Sequence, residues 1–278
     1  MAQRRFIQCD VFTATPLRGN GLAVVIDADG LTEAQMQTFA AWTNLAETTF
    51  LLPPTDPQAD YRVRIFTPKR EMPFAGHPTL GSCAAWLHCG GQPADAHTVV
   101  QECAIGLVKL DQTGVVPAFV APPTKISPLP QRDHDRIVAT LGIDPATITA
   151  TAQLDNGPVW KAFELRHASD VLALEATRLR YPDFLAVGVI GPHDAAEEVD
   201  FEVRNVAPSS GMPEDPITGS LNAALACWMK DRGTLPSAAT VAQGTRIDRQ
   251  GRVHILSRGD EILIGGQTHI LIDGTVEI

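Results

Sequence analysis

The sequence of 278 residues predicts an α+β protein of two similar halves, each a curved, mostly antiparallel sheet wrapped around a central buried helix. The first observation behind this prediction is an internal repeat. Residues Tyr61 to Pro68 read aromatic-x-Val-Arg-x-apolar-x-Pro, and residues Phe201 to Pro208 read the same way half a chain later. Two copies of one structural unit predict two halves rather than one large domain.

The repeat continues into a turn that opens a helix in each half. Met72-Pro73 returns as Met212-Pro213, and the turn at His77-Pro78 aligns with the turn at Asp215-Pro216. Gly and Pro at such positions are typical of a loop that leads into the first turn of a helix.

The second observation is that the two helices are apolar on every side. They are predicted from Thr79 to His88 and from Leu221 to Met229. A helix without a polar face must be buried, and a sheet that curls around it would bury it completely. Cys83 and Cys227 lie within these helices, so we expect both thiols to be buried packing groups.

The remaining elements follow from local patterns. Thr32 is a suitable N-cap for a helix that runs to Trp42. Its apolar residues near one face are Leu31, Met36, Phe39 and Ala40. β-Branched and aromatic runs bounded by Gly, Pro, Asn or Asp predict strands at Arg5 to Phe12, Gly21 to Ile26, Thr48 to Leu52, Tyr61 to Phe66, Thr98 to Glu102 and Thr240 to Gly244.

These elements suggest a division of the chain. We expect an N-terminal half at residues 1–120, a proline-rich linker at 121–130 and a C-terminal half at 131–266. The prolines of the linker exclude a helix and a central strand. A surface helix from Asp133 to Leu141 follows the linker, and a strand at about 267–278 is expected to pack back on the first half.

Composition restricts the class of partner. The chain is 44% apolar and 19% charged, with a formal net charge of −10. Nucleic acids and anionic membranes are bound by clustered Lys and Arg, so neither is expected as a partner, and a small molecule is favoured. No apolar run is long enough to predict a membrane span.

The cysteines and histidines indicate a reduced, cytoplasmic protein without a metal. The five cysteines are odd in number and include no Cys-x-x-Cys pair. We therefore expect neither a disulfide framework nor a zinc site. His and Cys do not cluster at the spacing of metal ligands, and the chain shows no signature for a nucleotide cofactor.

The turn before the first apolar helix carries the first candidate, His77. A histidine near a helix N-terminus can act as a general acid or base, or as a hydrogen-bond donor, because its ordinary pKa lies near neutrality. The alternative is that a lone His before Pro only flanks the start of the helix.

Asp215 takes the place of His77 in the second half. Asp before Pro at a helix start is a favoured N-cap, so a structural role is an alternative to a catalytic one. If the halves pack about a pseudo-twofold axis, His77 and Asp215 face each other over a shared cleft. The N-termini of both helices then point into that cleft. That arrangement suits an anionic substrate, most simply a small carboxylate.

Glu47 is the third candidate. It precedes an apolar strand and lies in sequence between Trp42 and Phe50, which predicts partial desolvation. Desolvation would raise the pKa of its carboxyl and make it a better base at neutral pH. The alternative is a solvent-facing Glu at a strand edge.

Three motifs together resemble the phenazine-biosynthesis PhzF-like family, on the diaminopimelate-epimerase fold. They are Asn44 to Phe50, Ala75 to Gly81 and Glu214 to Ser220, in the order and spacing of the family. The similarity runs from Asp10, through Leu17 to Asn20, to Gln243-Gly244 and the closing strand.

The resemblance implies a cofactor-free isomerase with its active site between the halves. Relatives that epimerise with two thiols carry a cysteine at each turn, where this chain has Gly76 and Asp215, so two-thiol chemistry is not expected. By motif, Glu47 is the proton shuttle, and His77 and Asp215 act with it in catalysis by holding or polarising the substrate. The residues expected to bind substrate are Asn20, Gly76, Gly219 and Ser220.

Two departures leave the substrate open. Ala46 stands where the family often has Ser, and Gly21 where it often has Pro. We expect an isomerase that moves a proton and a double bond within a small unsaturated or amino carboxylic acid. The alternatives are an epimerase or racemase of an amino or hydroxy acid, and a non-catalytic small-molecule binding protein. A homodimer is compatible with the resemblance, although no sequence feature requires one.

Overall fold

The structure is a computed structural model that describes residues 2–179, 186–195, 197–206 and 213–278. The repeat residues Ala207, Pro208 and Met212 lie outside this range. The chain divides into two compact units. The first comprises Met1–Val120 with Gly265–Ile278, and the second comprises Ala121–Ile264.

The first unit is mostly strand with two helices. Its elements are β1 (Gln3–Val11), β2 (Asn20–Val25), α1 (Glu33–Thr43), β3 (Glu47–Leu52), β4 (Tyr61–Phe66), β5 (Glu71–Met72), α2 (Gly76–His88), β6 (Thr98–Cys103), β7 (Gly106–Asp111), β8 (Ala118–Val120) and, later in the chain, β17 (Thr268–Glu277).

The described part of the second unit has the same character and includes three α-helices. Its elements are β9 (Lys125–Ser127), α3 (Gln131–Leu141), β10 (Ile148–Asp155), β11 (Val159–Leu165), α4 (Ala168–Leu172), β12 (Val187–Pro192), β13 (Phe201–Val206), α5 (Gly219–Asp231), β14 (Ala238–Gln243), β15 (Gly251–Arg258) and β16 (Glu261–Gly265).

Strand pairing repeats between the units. In the first, β2 is parallel to β3 and β4 is parallel to β6, while β1 is antiparallel to β2 and to β17. In the second, β11 is parallel to β12 and β13 is parallel to β14. Each parallel pair is joined across a helix, respectively α1, α2, α4 and α5, because parallel neighbours require a crossover connection. Antiparallel pairing, as predicted for most of the sheet, joins β3 to β4, β4 to β5, β6 to β7, β7 to β8, β9 to β10, β10 to β11, β12 to β13 and β14 to β15.

The predicted burial of the first central helix is confirmed. Residues 76–83 and 85 of α2 are buried. Gly81 lets α2 approach the sheet closely, since a Cβ at Gly81 would lie 2.5 Å from Leu22 and 2.9 Å from Val11. A larger residue there would push α2 away from β1 and β2.

The second central helix, α5, is buried along residues 219–226 and at 228 and 229. Gly188 on β12 admits it, since a Cβ there would lie 2.4 Å from Leu221. Cys83 is buried as predicted, but the same prediction for Cys227 is wrong. The Cys227 thiol is only half-buried because it lies at the proline-rich segment, where it bonds with Thr124.

The N-terminal boundary of α1 follows its sequence signal. The Thr32 hydroxyl accepts from the Gln35 amide at 3.3 Å, and the Gln35 side chain accepts from the Thr32 amide at 2.9 Å, which completes a capping box. Met36 and Ala40 join the buried core around Phe50, as their spacing predicts.

Residues 121–130, predicted as a linker, group with the second unit and include β9, which pairs antiparallel with β10. The short strand Lys125–Ser127 fits between the prolines that flank it. The predicted surface helix follows as α3 and ends at Gly142, whose φ of 68° is favourable for glycine.

Candidate active site

The first unit brings Glu47 and His77 together. Glu47 is the first residue of β3, and His77 is the second residue of α2. Oε2 of Glu47 lies 3.5 Å from Nε2 of His77. The sequence indicated that His77 lies just ahead of the helix. In the structure His77 lies inside the first turn of α2.

The His77 ring is almost completely enclosed. It is 4% exposed, and Nε2 has no hydrogen-bond partner among the described residues. Desolvation lowers the pKa of the imidazole from 6.5 to about 3, because burial disfavours the charged ring. His77 is thus neutral at neutral pH. A neutral, buried ring suits the expected role of hydrogen-bond donor, and the role of His77 as a general acid or base stays a prediction.

Asn20 determines which ring nitrogen of His77 carries the proton. Nδ2 of Asn20 lies 3.3 Å from Nδ1 of His77. An amide nitrogen only donates, so Nδ1 accepts and the proton of the neutral ring sits on Nε2, the atom nearest Glu47. The site thereby presents a buried N–H donor beside a carboxylate.

A close backbone turn places Asn20. The amide of Gly19 donates to the Asp10 carboxylate at 3.0 Å. A Cβ at Gly19 would lie 2.4 Å from the carbonyl oxygen of Val11 and 2.7 Å from the Asp10 carboxylate, so only glycine fits. Asn20 then begins β2 with 2% of its surface exposed.

Gly76 is the first residue of α2 and is buried. The N-cap, Ala75, has no side-chain oxygen to accept from the helix start. The first amides of a helix lack intrahelical acceptors, and they carry the positive end of its dipole. The backbone at Gly76 and His77 can therefore stabilise an anion.

Glu47 is desolvated, but not in the way that its sequence position indicates. Its side chain is 18% exposed, so the alternative of a solvent-facing Glu is wrong. Trp42 is 78% exposed and stacks on Phe39, with ring centroids 6.1 Å apart. The Glu47 carboxylate lies against the buried ring of His77.

In the second unit, Asp215 lies before α5 rather than at its N-cap. The N-cap is Thr218, and the prediction that Asp215 caps the helix is wrong. The Asp215 amide donates instead to the carbonyl of Asn205 at 3.0 Å, in an isolated antiparallel bridge. Its Oδ2 accepts from the Thr218 hydroxyl and from Nδ2 of Asn205 at 3.4 Å.

A buried ion pair fixes the residue next to Asp215. Arg204 donates through Nε and Nη2 to the two carboxylate oxygens of Glu214, at 3.0 and 2.6 Å. Nη1 of Arg204 donates to the carbonyls of Val171 and Leu174 near the C-terminus of α4. The oxygens that accept from this guanidinium thus belong to buried residues, as a buried charge requires.

Gly219 and Ser220 are the first two residues of α5, and both are buried. Ser220 is 6% exposed, and its carbonyl accepts from Nδ2 of Asn156 at 2.8 Å. They occupy the same positions in α5 that Gly76 and His77 occupy in α2.

Two of the thiols, those of Cys9 and Cys83, have the properties of packing groups. Burial raises the pKa of Cys9 and of Cys83 to about 12, so neither ionises at neutral pH. Within the described ranges, no three His, Cys, Asp or Glu side chains form a group that could hold a metal. None of the helices in those ranges has the length and apolar character needed to span a membrane.

The sequence reasoning missed the residues that surround Asp215. Thr218, Asn205 and Gln243 form a buried hydrogen-bonded group with it. One signal was available. Gln243 follows Ala239 and Val241 on the inward face of β14, and a glutamine at a core position requires hydrogen-bond partners.

The chain is similar to a known protein family over nearly its whole length. The family model described as "Phenazine biosynthesis-like protein" (PhzC-PhzF) matches residues 9–274. The chain is 35% identical to "Antisense-enhancing sequence 1" of Schizosaccharomyces pombe, with 99% of each chain covered. It is 32% identical to the trans-2,3-dihydro-3-hydroxyanthranilate isomerase of Pseudomonas aeruginosa, over 92% of this chain and 91% of that one.

A solved structure shows the same fold. The PhzF-family phenazine biosynthesis protein of Bacillus anthracis superposes with a TM-score of 0.82 at 21% identity, and all of both chains is covered. The predicted fold class is therefore confirmed.

Proposed function

This chain belongs to the phenazine biosynthesis-like protein family and has its isomerase or epimerase activity, and we propose that it is a cofactor-independent isomerase. The proposed reaction moves a proton, and with it a double bond, within a small unsaturated or amino carboxylic acid. The observation that carries the proposal is the buried contact between the Glu47 carboxylate and the Nε2–H of a neutral His77.

The contact supports a shuttle in which one carboxylate both removes and returns the proton. Glu47 takes the proton from one carbon as a base and, once protonated, gives it to another carbon of the conjugated system. The Nε2 atom of His77 is enclosed and lacks a protein partner among the described residues, so it suits donation to a substrate oxygen. Such a donor stabilises the negative charge that develops when the proton leaves.

The other assigned groups bind the substrate. The amides of Gly76 in α2 and of Gly219 and Ser220 in α5 suit a carboxylate, because each lies in the first turn of its helix. Asp215 suits an amino or hydroxyl group, since a carboxylate accepts hydrogen bonds. Asn20 contributes by holding the His77 tautomer.

The epimerase alternative needs two opposed acid–base groups. Burial lowers the pKa of His77 to about 3, which disfavours the protonated ring and makes His77 the weaker candidate for one of them. The two turn positions hold Gly76 and Asp215, neither of which is a thiol. In the epimerase alternative, Asp215 is then the base that acts opposite Glu47. The Asp215→Asn variant tests that alternative, because the amide cannot take up a proton.

Glu47→Gln is the test of the shuttle. The amide is nearly isosteric but cannot take up the proton, so we expect turnover to fall by about 10²-fold or more. The assay follows trans-2,3-dihydro-3-hydroxyanthranilate, the compound named for the Pseudomonas relative, and related unsaturated acids in deuterated water. Mass spectrometry and NMR locate the deuterium and the double bond.

The matched control is Glu33→Gln, which changes a carboxylate that is 71% exposed. It should leave turnover unchanged. A displaced double bond in the product supports the isomerase, and inversion at one carbon supports the epimerase. Binding with no exchange of substrate hydrogens would show a non-catalytic binding protein. Near-full activity of Glu47→Gln would refute the assigned base.

A further inference from the structure

Each of the two units contains a similar buried network of hydrogen bonds at the start of its central helix. The strand after each helix carries a glutamine with no exposed surface, Gln101 on β6 and Gln243 on β14. Each glutamine bonds to the side chain at the fourth residue of its helix. Gln101 donates to Thr79 at 3.1 Å, and Gln243 accepts from Asn222 at 2.9 Å.

The similarity extends to the helix cap. The Thr79 hydroxyl donates to the carbonyl of its N-cap, Ala75, at 2.9 Å. Nδ2 of Asn222 donates to the carbonyl of its N-cap, Thr218, at 2.9 Å. In both units, therefore, a glutamine on the strand and a polar residue in the first turn hold the start of the helix.

The two glutamines differ in what their second amide atom contacts. Oε1 of Gln101 accepts from the hydroxyl of Tyr61 at 3.0 Å, inside the core of the first unit. Nε2 of Gln243 donates to the Thr218 hydroxyl at 3.0 Å and to the carbonyl of Asp215 at 3.3 Å, and its Oε1 accepts from the Thr218 amide at 3.1 Å. Gln243 thus contacts the turn that carries Asp215.

The direction in which the Thr218 hydroxyl proton points can be inferred from the hydrogen-bond partners of the hydroxyl. Its oxygen receives hydrogen bonds from Nε2 of Gln243 and from Nδ2 of Asn205, at 3.0 and 2.8 Å. A hydroxyl has two acceptor positions and one proton. With both acceptor positions occupied, the proton is directed at Oδ2 of Asp215, with which the hydroxyl is also in contact.

We infer that Gln243 is a positioning residue for the Asp215 carboxylate. It acts through Thr218, whose hydroxyl proton it directs to Oδ2, and through the carbonyl of Asp215 itself. The inference deepens the proposed function and rests on it, because the substrate-binding role of Asp215 belongs to that proposal. Gln101 has the equivalent structural role without this contact.

A double-mutant cycle distinguishes positioning from stability alone. We expect Asp215→Asn to lower kcat/KM by about a hundredfold. We expect Gln243→Leu to lower kcat/KM by about tenfold, because misplacement of a binding group by about 1 Å can reduce the rate by up to about a hundredfold. The double variant should match Asp215→Asn alone, because a residue that acts through another has no further effect. Losses that multiply would overturn the inference.

Two controls accompany the cycle. Ile137→Ala, which removes a fully buried side chain of α3 from its own core cluster, should lower the melting temperature while kcat/KM of the folded enzyme stays within about twofold. Thr218→Ser keeps the hydroxyl and should retain activity, whereas Thr218→Val should reproduce the effect of Gln243→Leu. Equal loss of kcat/KM in Ile137→Ala and Gln243→Leu would mean that Gln243 only stabilises the fold.

A structural readout separates this inference from the proposed function. In Gln243→Glu the new carboxylate keeps an acceptor for the Thr218 amide but cannot donate to its hydroxyl. A crystal structure should then show the Thr218 hydroxyl oxygen within hydrogen-bond distance of that carboxylate, and Asp215 rotated away from Thr218. An unmoved Asp215 overturns the positioning role. A moved Asp215 together with full activity of Asp215→Asn would refute only the substrate-binding role.

Discussion

Replacing His77 with glutamine should remove much of the acid sensitivity of the folded protein. The folded pKa of about 3 lies below the ordinary value of 6.5, so the unfolded chain takes up the proton first as the pH falls. The stability that neutral His77 provides is complete above about pH 6.5 and is lost progressively between about pH 6.5 and pH 3. Glutamine is uncharged throughout this range.

The size of the effect follows from the pKa difference. The full shift, from 6.5 to about 3, corresponds to about 5 kcal/mol of unfolding free energy. At about pH 5 the unfolded histidine is almost fully protonated and the folded one is not, which makes the loss about 2 kcal/mol. Carboxylates that titrate in this range are present in the wild type and in His77→Gln, so their contributions to the pH dependence cancel when the two are compared.

Urea unfolding at about pH 7.5 and pH 5 provides the measurement. The wild type should lose about 2 kcal/mol more than His77→Gln between the two conditions. His97→Gln, which alters an exposed histidine, leaves the desolvation of His77 unchanged and should behave as the wild type. Equal losses in the wild type and in His77→Gln would refute the argument that His77 is buried as the neutral ring.

Two further predictions concern buried groups. Arg204→Met should destabilise the protein by about 3–5 kcal/mol, measured by urea unfolding, because it leaves the Glu214 carboxylate buried and unpaired. Replacing both residues with apolar ones should restore most of that loss, and failure to do so would contradict the assignment to desolvation. Iodoacetamide treatment of the native protein should leave turnover intact, since the thiols of Cys9 and Cys83 have pKa values near 12. Inactivation by one alkylated cysteine, prevented by substrate, would instead make a thiol the base.

The elements that local patterns determine were predictable from the sequence. Thr32 caps α1 as its hydroxyl and Gln35 indicate, and α2 and α5 are buried because their residues leave no polar face. The repeat of Val-Arg before each central helix corresponds to the equivalent strands β4 and β13. In these cases the information lies within a few residues.

The environment of the site depends on contacts between distant residues and was less predictable. Asp215 before Pro216 reads as an N-cap, yet its backbone bonds to Asn205 and the helix begins four residues later. The pKa of His77 depends on enclosure by the tertiary structure, which the motif around it does not encode. Likewise, the Glu47 carboxylate lies beside His77, a residue of another element that is distant in the sequence.

The pairing of β1 with β17 bears on the order in which the protein assembles during synthesis. These strands pair from Gln3 and Glu277 to Val11 and Thr268, so the first unit contains the earliest and the latest strands described. A ribosome therefore completes every strand of the second unit before β1 can acquire this neighbour. The exposed edge of β1 must meanwhile avoid other nascent chains, because an unpaired strand edge is a template for aggregation. Emergence of residues 265–278 from the ribosome is consequently the step that ends this vulnerable interval.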